Sequence, residues 1–135
     1  MQRKGQGQRP SAKILVVDDE ALLRAMMKDG LEAAGHTVMV AASGQEALKL
    51  AKAERPDCIL LDLIMPDLDG YQTCTALKAD PELAGIPVLM ISATTDLRIV
   101  DRAEQAGAVN VLPKPVPLEE LQHAVALALA GAATP

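Results

Sequence analysis

The chain has 135 residues and weighs 14.2 kDa, and half of it is hydrophobic against 23% charged, which is enough for one domain with a real core. It has no Trp, no Phe and one Tyr, so the core is aliphatic and the stacking platforms that hold single-stranded nucleic acid are missing. The net charge of −5 is unevenly spread: Arg3, Lys4, Arg9 and Lys13 stand at the start with no acid, and residues 14–135 carry 9 basic side chains against 18 acids, a net −9 that disfavours direct DNA binding by the folded part.

Residues 1–12 read as a disordered basic Gly/Gln arm, and their polar run has no apolar segment of the secretory kind. Five short apolar runs follow: Lys13 to Val17, Thr37 to Ala41, Cys58 to Asp62, Pro87 to Ile91 and Ala108 to Leu112. Their starts lie 24, 21, 29 and 21 residues apart, room for a helix in each gap but not for a hairpin. The first, third and fourth runs are continuous, as strands covered on both faces are. The expected architecture is α/β, a parallel sheet built from βαβ crossovers.

The helices are marked by caps and stripes. Between Glu20 and Ala34, Leu23, Met27 and Leu31 recur every fourth position, with Gly30 weakening the helix by roughly 1 kcal/mol relative to Ala. Ser43-Gly-Gln-Glu46 is a capping-box pattern opening the second helix. The third helix is expected over Gly70 to Lys78 and the fourth from near Thr95 or Asp96 to Gly107. The fifth starts after Pro117 and is expected through Leu129, with Leu118, Leu121, Val125 and Ala128 as its core stripe and 131–135 as a flexible tail. Leu127 and Leu129 fall off that stripe. Cys58 and Cys74 are too far apart and too short of His for a zinc site and read as free thiols. No apolar run reaches the about 18 residues a membrane span needs, so a cytoplasmic protein is expected.

Polar residues end three of these strands. Asp18 and Asp19 follow the first, Asp62 ends the third, Ser92 follows the fourth, and Lys114 lies just past the fifth. In an open parallel sheet these positions share the carboxyl edge, where ligands bind. Taken singly, each has an ordinary explanation as a cap or loop residue. Taken together they are a site. Three carboxylates crowded on one lysine need more positive charge, and an all-oxygen donor set suits Mg²⁺ and not Zn²⁺. Such a site can hold a phosphoryl group, with Asp62 as the candidate nucleophile.

Ile14-Leu-Val-Val-Asp-Asp-Glu20, Leu60-Leu-Asp-Leu-Ile-Met-Pro-Asp-Leu-Asp-Gly70, Val88-Leu-Met-Ile-Ser-Ala93 and Leu112-Pro-Lys-Pro115 resemble the receiver domain of two-component response regulators, over roughly residues 13–130. The resemblance implies a doubly wound, flavodoxin-like (βα)5 fold with strand order 2-1-3-4-5. It makes Asp62 the phosphoacceptor, Asp19 a direct Mg²⁺ ligand and Asp18 one acting largely through water. Ile64 would lend its backbone carbonyl to the metal, Ser92 would be the switch hydroxyl, and Lys114 would pair with a phosphoryl oxygen beside a cis bond to Pro115. Asp67 and Asp69 would shape and cap the loop into the third helix.

The donor implied is a histidine kinase or histidine phosphotransfer protein, docking near the first helix and the loop at Pro115. Output would run through protein–protein contacts in a phosphorelay, on the face of the fourth helix, fifth strand and fifth helix. The chain is expected to be a phosphoacceptor, read first as a stand-alone receiver with a piece of a longer regulator as the alternative, and not an enzyme with a separate substrate. One position departs from the family: Val111 stands where a Tyr or Phe usually swings, and a stiff β-branched side chain cannot make that motion. A backbone shift of the loop after Ser92 is the expected substitute. Ile64 and Thr94 hold the positions that tune dephosphorylation, and Ile64 cannot hydrogen-bond an attacking water, so a persistent phosphoaspartate is expected.

Three other readings are open to the same residues. A phosphatase of the haloacid-dehalogenase type needs an acid two positions after its nucleophile, where this chain has Ile64. A flavodoxin-like carrier needs a phosphate loop after the first strand and aromatics for the flavin. A pseudo-receiver, binding partners without phosphorylation, needs only the Val111 change to have uncoupled the site.

Overall fold

A computed structural model describes residues 11–65, 68–93 and 96–133. The five apolar runs form one parallel sheet of β1 (Lys13–Val17), β2 (Thr37–Ala41), β3 (Cys58–Asp62), β4 (Val88–Ser92) and β5 (Asn110–Pro113) in the order β2-β1-β3-β4-β5. Between and after them run α1 (Ala21–Ala33), α2 (Gly44–Glu54), α3 (Gly70–Ala79), α4 (Leu97–Ala106) and α5 (Leu118–Ala133). This is the doubly wound α/β fold expected.

Alternation along the strands sorts the core into two layers. Leu15, Val17, Ile59, Leu61 and Met90 face one side, where they meet Ala47 and Ala51 of α2, Cys74 and Leu77 of α3 and Ala103 of α4. Ile14, Val16, Cys58, Leu60, Leu89 and Ile91 face the other, against Leu31 of α1 and Leu121 and Val125 of α5. β1, β3 and β4 are buried along nearly their whole lengths, which explains their unbroken apolar runs. β2 is an edge strand and is only partly buried, with Val38 and Ala41 in the core and Thr37 and Val40 exposed.

Several element ends differ from the expectation for identifiable reasons. β5 begins at Asn110, not Ala108, because the Ala108 N–H donates to Ala103 O at 2.9 Å and closes the end of α4 over Gly107, whose φ is 104°. β4 runs one residue further than expected, to Ser92, and starts at Val88. α5 continues to Ala133, four residues past Leu129, so the small residues Gly131 to Ala133 are helical. Ser43 caps α2 by accepting from Glu46 N, but Glu46 Oε1 in return accepts from Ala42 N, one residue earlier than in a reciprocal box. Gly30 has a positive role: a Cβ there would run into Leu118, so its absence lets α1 approach the start of α5. His36 is buried and accepts from Ala12 N through Nδ1 at 3.2 Å.

Candidate functional site

β1 ends where its backbone still pairs with β2, Asp18 N donating to Ala41 O at 3.1 Å. Asp18 is completely buried. Its Oδ1 accepts from Glu20 N at 2.8 Å, and its carbonyl accepts from Arg24 Nη1 at 2.7 Å, so the turn into α1 locks this carboxylate in place. Asp18 Oδ2 is buried without a hydrogen bond. Asp19 points to the exposed side of the same turn.

β3 delivers Asp62, which is 5% exposed. The chain then turns sharply: Leu63 N donates to Ile91 O, and Gly70 N donates back to Leu63 O at 2.7 Å. A Cβ on Gly70 would lie 2.8 Å from Leu63 Cα and 2.9 Å from Asp62 O, both backbone atoms, so only glycine lets α3 start against the end of β3. Asp69 caps α3 in a complete capping box with Gln72, its Oδ1 accepting from Gln72 N at 2.8 Å while Gln72 Oε1 accepts from Asp69 N at 3.1 Å. Ile64 is at the rim with its side chain 73% exposed. Asp67 and Thr94 lie outside the described residues.

Buried Ser92 closes β4, and its carbonyl accepts from Lys114 N at 2.8 Å. That bond ties the turn after β5 to β4, and the Lys114–Pro115 peptide in this turn is cis. Lys114 Nζ then reaches Asp62 Oδ1 at 3.2 Å, Asp18 Oδ2 at 3.4 Å and Glu20 Oε1 at 3.4 Å. Carboxylate oxygens of Asp18, Asp19 and Asp62 all lie within 4.8 Å of one another.

The electrostatics follow from that crowding. Burial, and then the neighbouring Asp18 charge, push the Asp62 carboxyl up to about 6, although Lys114 and the Ile64 N–H pull it down. Burial acts to lower the Lys114 ammonium, and the pull of Asp62 and Asp18 outweighs it, so its pKa is raised. The site is a short-range excess of negative charge with an unsatisfied buried oxygen, and its oxygen donors could hold a hard cation. Sequence reasoning missed Glu20 as a fourth carboxylate at this site; its place directly after the Asp pair was the available signal.

The model of the response regulator receiver domain matches residues 14–126. The chain belongs to that family. It is a receiver domain of two-component systems, and its relatives agree. It is 39% identical over 111 residues to the response regulator MprA of Mycobacterium ulcerans, covering 82% of this chain and 47% of that protein. The chain spans about half the length of the curated relatives it matches. Among solved structures, chemotaxis protein CheY4 of Vibrio cholerae superposes with a TM-score of 0.85 at 32% identity, covering 88% of this receiver and 99% of that chain. The signal receiver domain of a signal transduction histidine kinase from Syntrophus aciditrophicus gives 0.84 at 33% identity, covering 93% and 95%. No helix among the described residues of this receiver is long and apolar enough to cross a membrane.

Proposed function

We propose that Asp62 accepts a phosphoryl group from a phosphohistidine on a histidine kinase or histidine phosphotransfer protein, with Mg²⁺ at the carboxylate cluster, in the cytoplasm. The observation that carries this reading is the buried, unbonded Oδ2 of Asp18 beside Lys114 and Asp62. Its ionic partner, the Lys114 ammonium at 3.4 Å, is shared with Asp62 and Glu20, and a divalent cation would supply the positive charge still missing. Asp18, Asp19 and Asp62 would hold the metal, with the backbone carbonyl of Ile64. When bound, Mg²⁺ neutralises charge on the transferring phosphoryl oxygens.

The protein's own residues do the rest by position. Asp62, ionised above a pH of about 6, offers an oxygen lone pair to phosphorus. As the new O–P bond forms, the donor's N–P bond breaks and its electron pair returns to the imidazole, which takes up a proton. Lys114 pairs with one phosphoryl oxygen and the Ser92 hydroxyl with another. Exposed Ile64 offers no hydrogen bond to an attacking water, which favours a long-lived phosphoaspartate. The chain acts as a phosphoacceptor, without a substrate to turn over.

This receiver is itself read out through protein contacts, since residues 14–135 sum to −9 and would be repelled by a phosphate backbone. Val111 is half-buried on β5 against the core and carries no aromatic ring to swing, so the signal leaves by another route.

Intact mass after incubation with Mg²⁺ and acetyl phosphate tests the reading. One added phosphoryl group is expected, lost without metal and lost in Asp62→Asn. If neither acetyl phosphate nor a phosphohistidine donor phosphorylates the protein, the reading is wrong and the pseudo-receiver takes its place.

A further inference from the structure

Glu20 is the N-cap of α1, and a side chain at that position usually accepts a bond from the first-turn amides. Glu20 accepts none. Its backbone N–H is held by Asp18 Oδ1, and its carboxylate turns away from the helix to accept from Lys114 Nζ at 3.4 Å. The carboxylate is 61% exposed, at the rim of the site, while Asp18 and Asp62 approach the same ammonium from the buried side.

This arrangement has a consequence for whatever brings the phosphoryl group. A phosphoryl oxygen reaches Lys114 only in competition with Glu20, and any anion arriving from solvent passes the Glu20 charge first. A small acyl phosphate has little beyond its own charge with which to overcome that repulsion. A protein donor has more: α1 starts at the next residue and carries Leu22 and Met26, 72% and 58% exposed, and Met26 lines an apolar cleft together with Leu23, Met27, Pro115 and Val116. Covering that surface supplies binding energy remote from the reacting atoms.

We propose that Glu20 is a specificity-determining residue of this site, holding Lys114 and repelling small anionic phosphodonors so that uptake favours a donor protein covering the apolar side of α1. The inference rests on the reading of Asp62 as phosphoacceptor and concerns which donors it takes.

The test is phosphoryl uptake against acetyl phosphate concentration at saturating Mg²⁺, for the wild-type chain, Glu20→Gln, Glu20→Asp and Asp62→Asn. Metal affinity is measured separately by calorimetry, so that a weaker metal site in Glu20→Gln is not mistaken for a donor effect. Glu20→Gln is expected to lower the apparent KM for acetyl phosphate about threefold to tenfold at low ionic strength, with the maximal rate changing less. Added salt should close the gap, and Glu20→Asp should stay near wild type. Uptake from a phosphohistidine-bearing protein donor should change much less than uptake from acetyl phosphate. Wild-type uptake at Asp62 with an unchanged or raised KM in Glu20→Gln would overturn the role of Glu20 and leave the phosphoacceptor reading standing. A gain that persists undiminished at high salt would also overturn it. No uptake by wild type or Glu20→Gln from either acetyl phosphate or the phosphohistidine donor, or uptake untouched by Asp62→Asn, overturns the phosphoacceptor reading and this inference with it.

Discussion

Lys114 Nζ lies 3.2 Å from Asp62 Oδ1, so the residue after β5 and the last residue of β3 form an ion pair across the carboxyl end of β4. The pair does not balance the site. Asp18 presses on the same ammonium from a fully buried position, and one ammonium cannot compensate two buried carboxylates and two more at the rim. The metal-free protein therefore holds electrostatic strain at this edge.

That strain is measurable at Asp62. Its folded value of about 6 lies above the ordinary 3.8, so the native state binds this proton more tightly than the unfolded chain does. Ionisation of Asp62 therefore costs native stability as pH rises from about 4 to about 6, on the order of 2–3 kcal/mol in full. In chelator, Asp62→Asn should melt higher than wild type at neutral pH, with the difference shrinking toward pH 4. Thermal melts across that range check it; a variant that melts lower at neutral pH refutes it.

Lys114→Met should act in the opposite direction. It leaves buried Asp18 and Asp62 facing each other unpaired, at a cost of about 3 kcal/mol without metal. Mg²⁺ should recover more stability in this variant than in wild type, because it then meets a larger charge deficit. Urea unfolding with chelator and with Mg²⁺ gives both numbers.

Gly70→Ala should destabilise the protein by about 2 kcal/mol or more despite the better helix propensity of alanine. The added Cβ would meet Leu63 Cα and Asp62 O, backbone atoms that cannot turn aside as a side chain can. The shift falls on β3, which carries Asp62, so under the proposed function phosphoryl uptake should fall as well. Denaturant midpoints and the mass assay on the same preparation test the two effects together.

Neither cysteine should react with a thiol reagent in the native state. Burial pushes the Cys58 thiol up to about 12 and raises Cys74, which also donates to Ala106 O. Both are free and buried, so two thiols should appear only on unfolding. Rapid native labelling at either would show that the core opens there.

The strands were readable because a strand buried on both faces must be apolar at every position, and helices between them leave gaps of a fixed size. The parallel α/β class followed from that pattern alone; the doubly wound arrangement and its strand order came from a resemblance, and the pairing of β1 with both β2 and β3 bears the order out. Five polar residues could be assigned to one edge of the sheet because in parallel strands all carboxyl ends point the same way. Element ends were less legible. Whether Ala108 belongs to a helix cap or to β5 depends on which carbonyl its N–H meets, and that is settled by how α4 packs.

Distances, burial and partners lay beyond the sequence altogether. Nothing local to Glu20 says that its carboxylate leaves its own helix for Lys114, or that Gly30 is vacant to make room for Leu118. The order of apolar and polar residues along the chain determined the layers and the edge where the site lies. How far each charge is removed from water, and which opposite charge it finds there, was decided by the tertiary structure, because electrostatic energy depends on separation and burial in space and neither is written in the spacing along the chain.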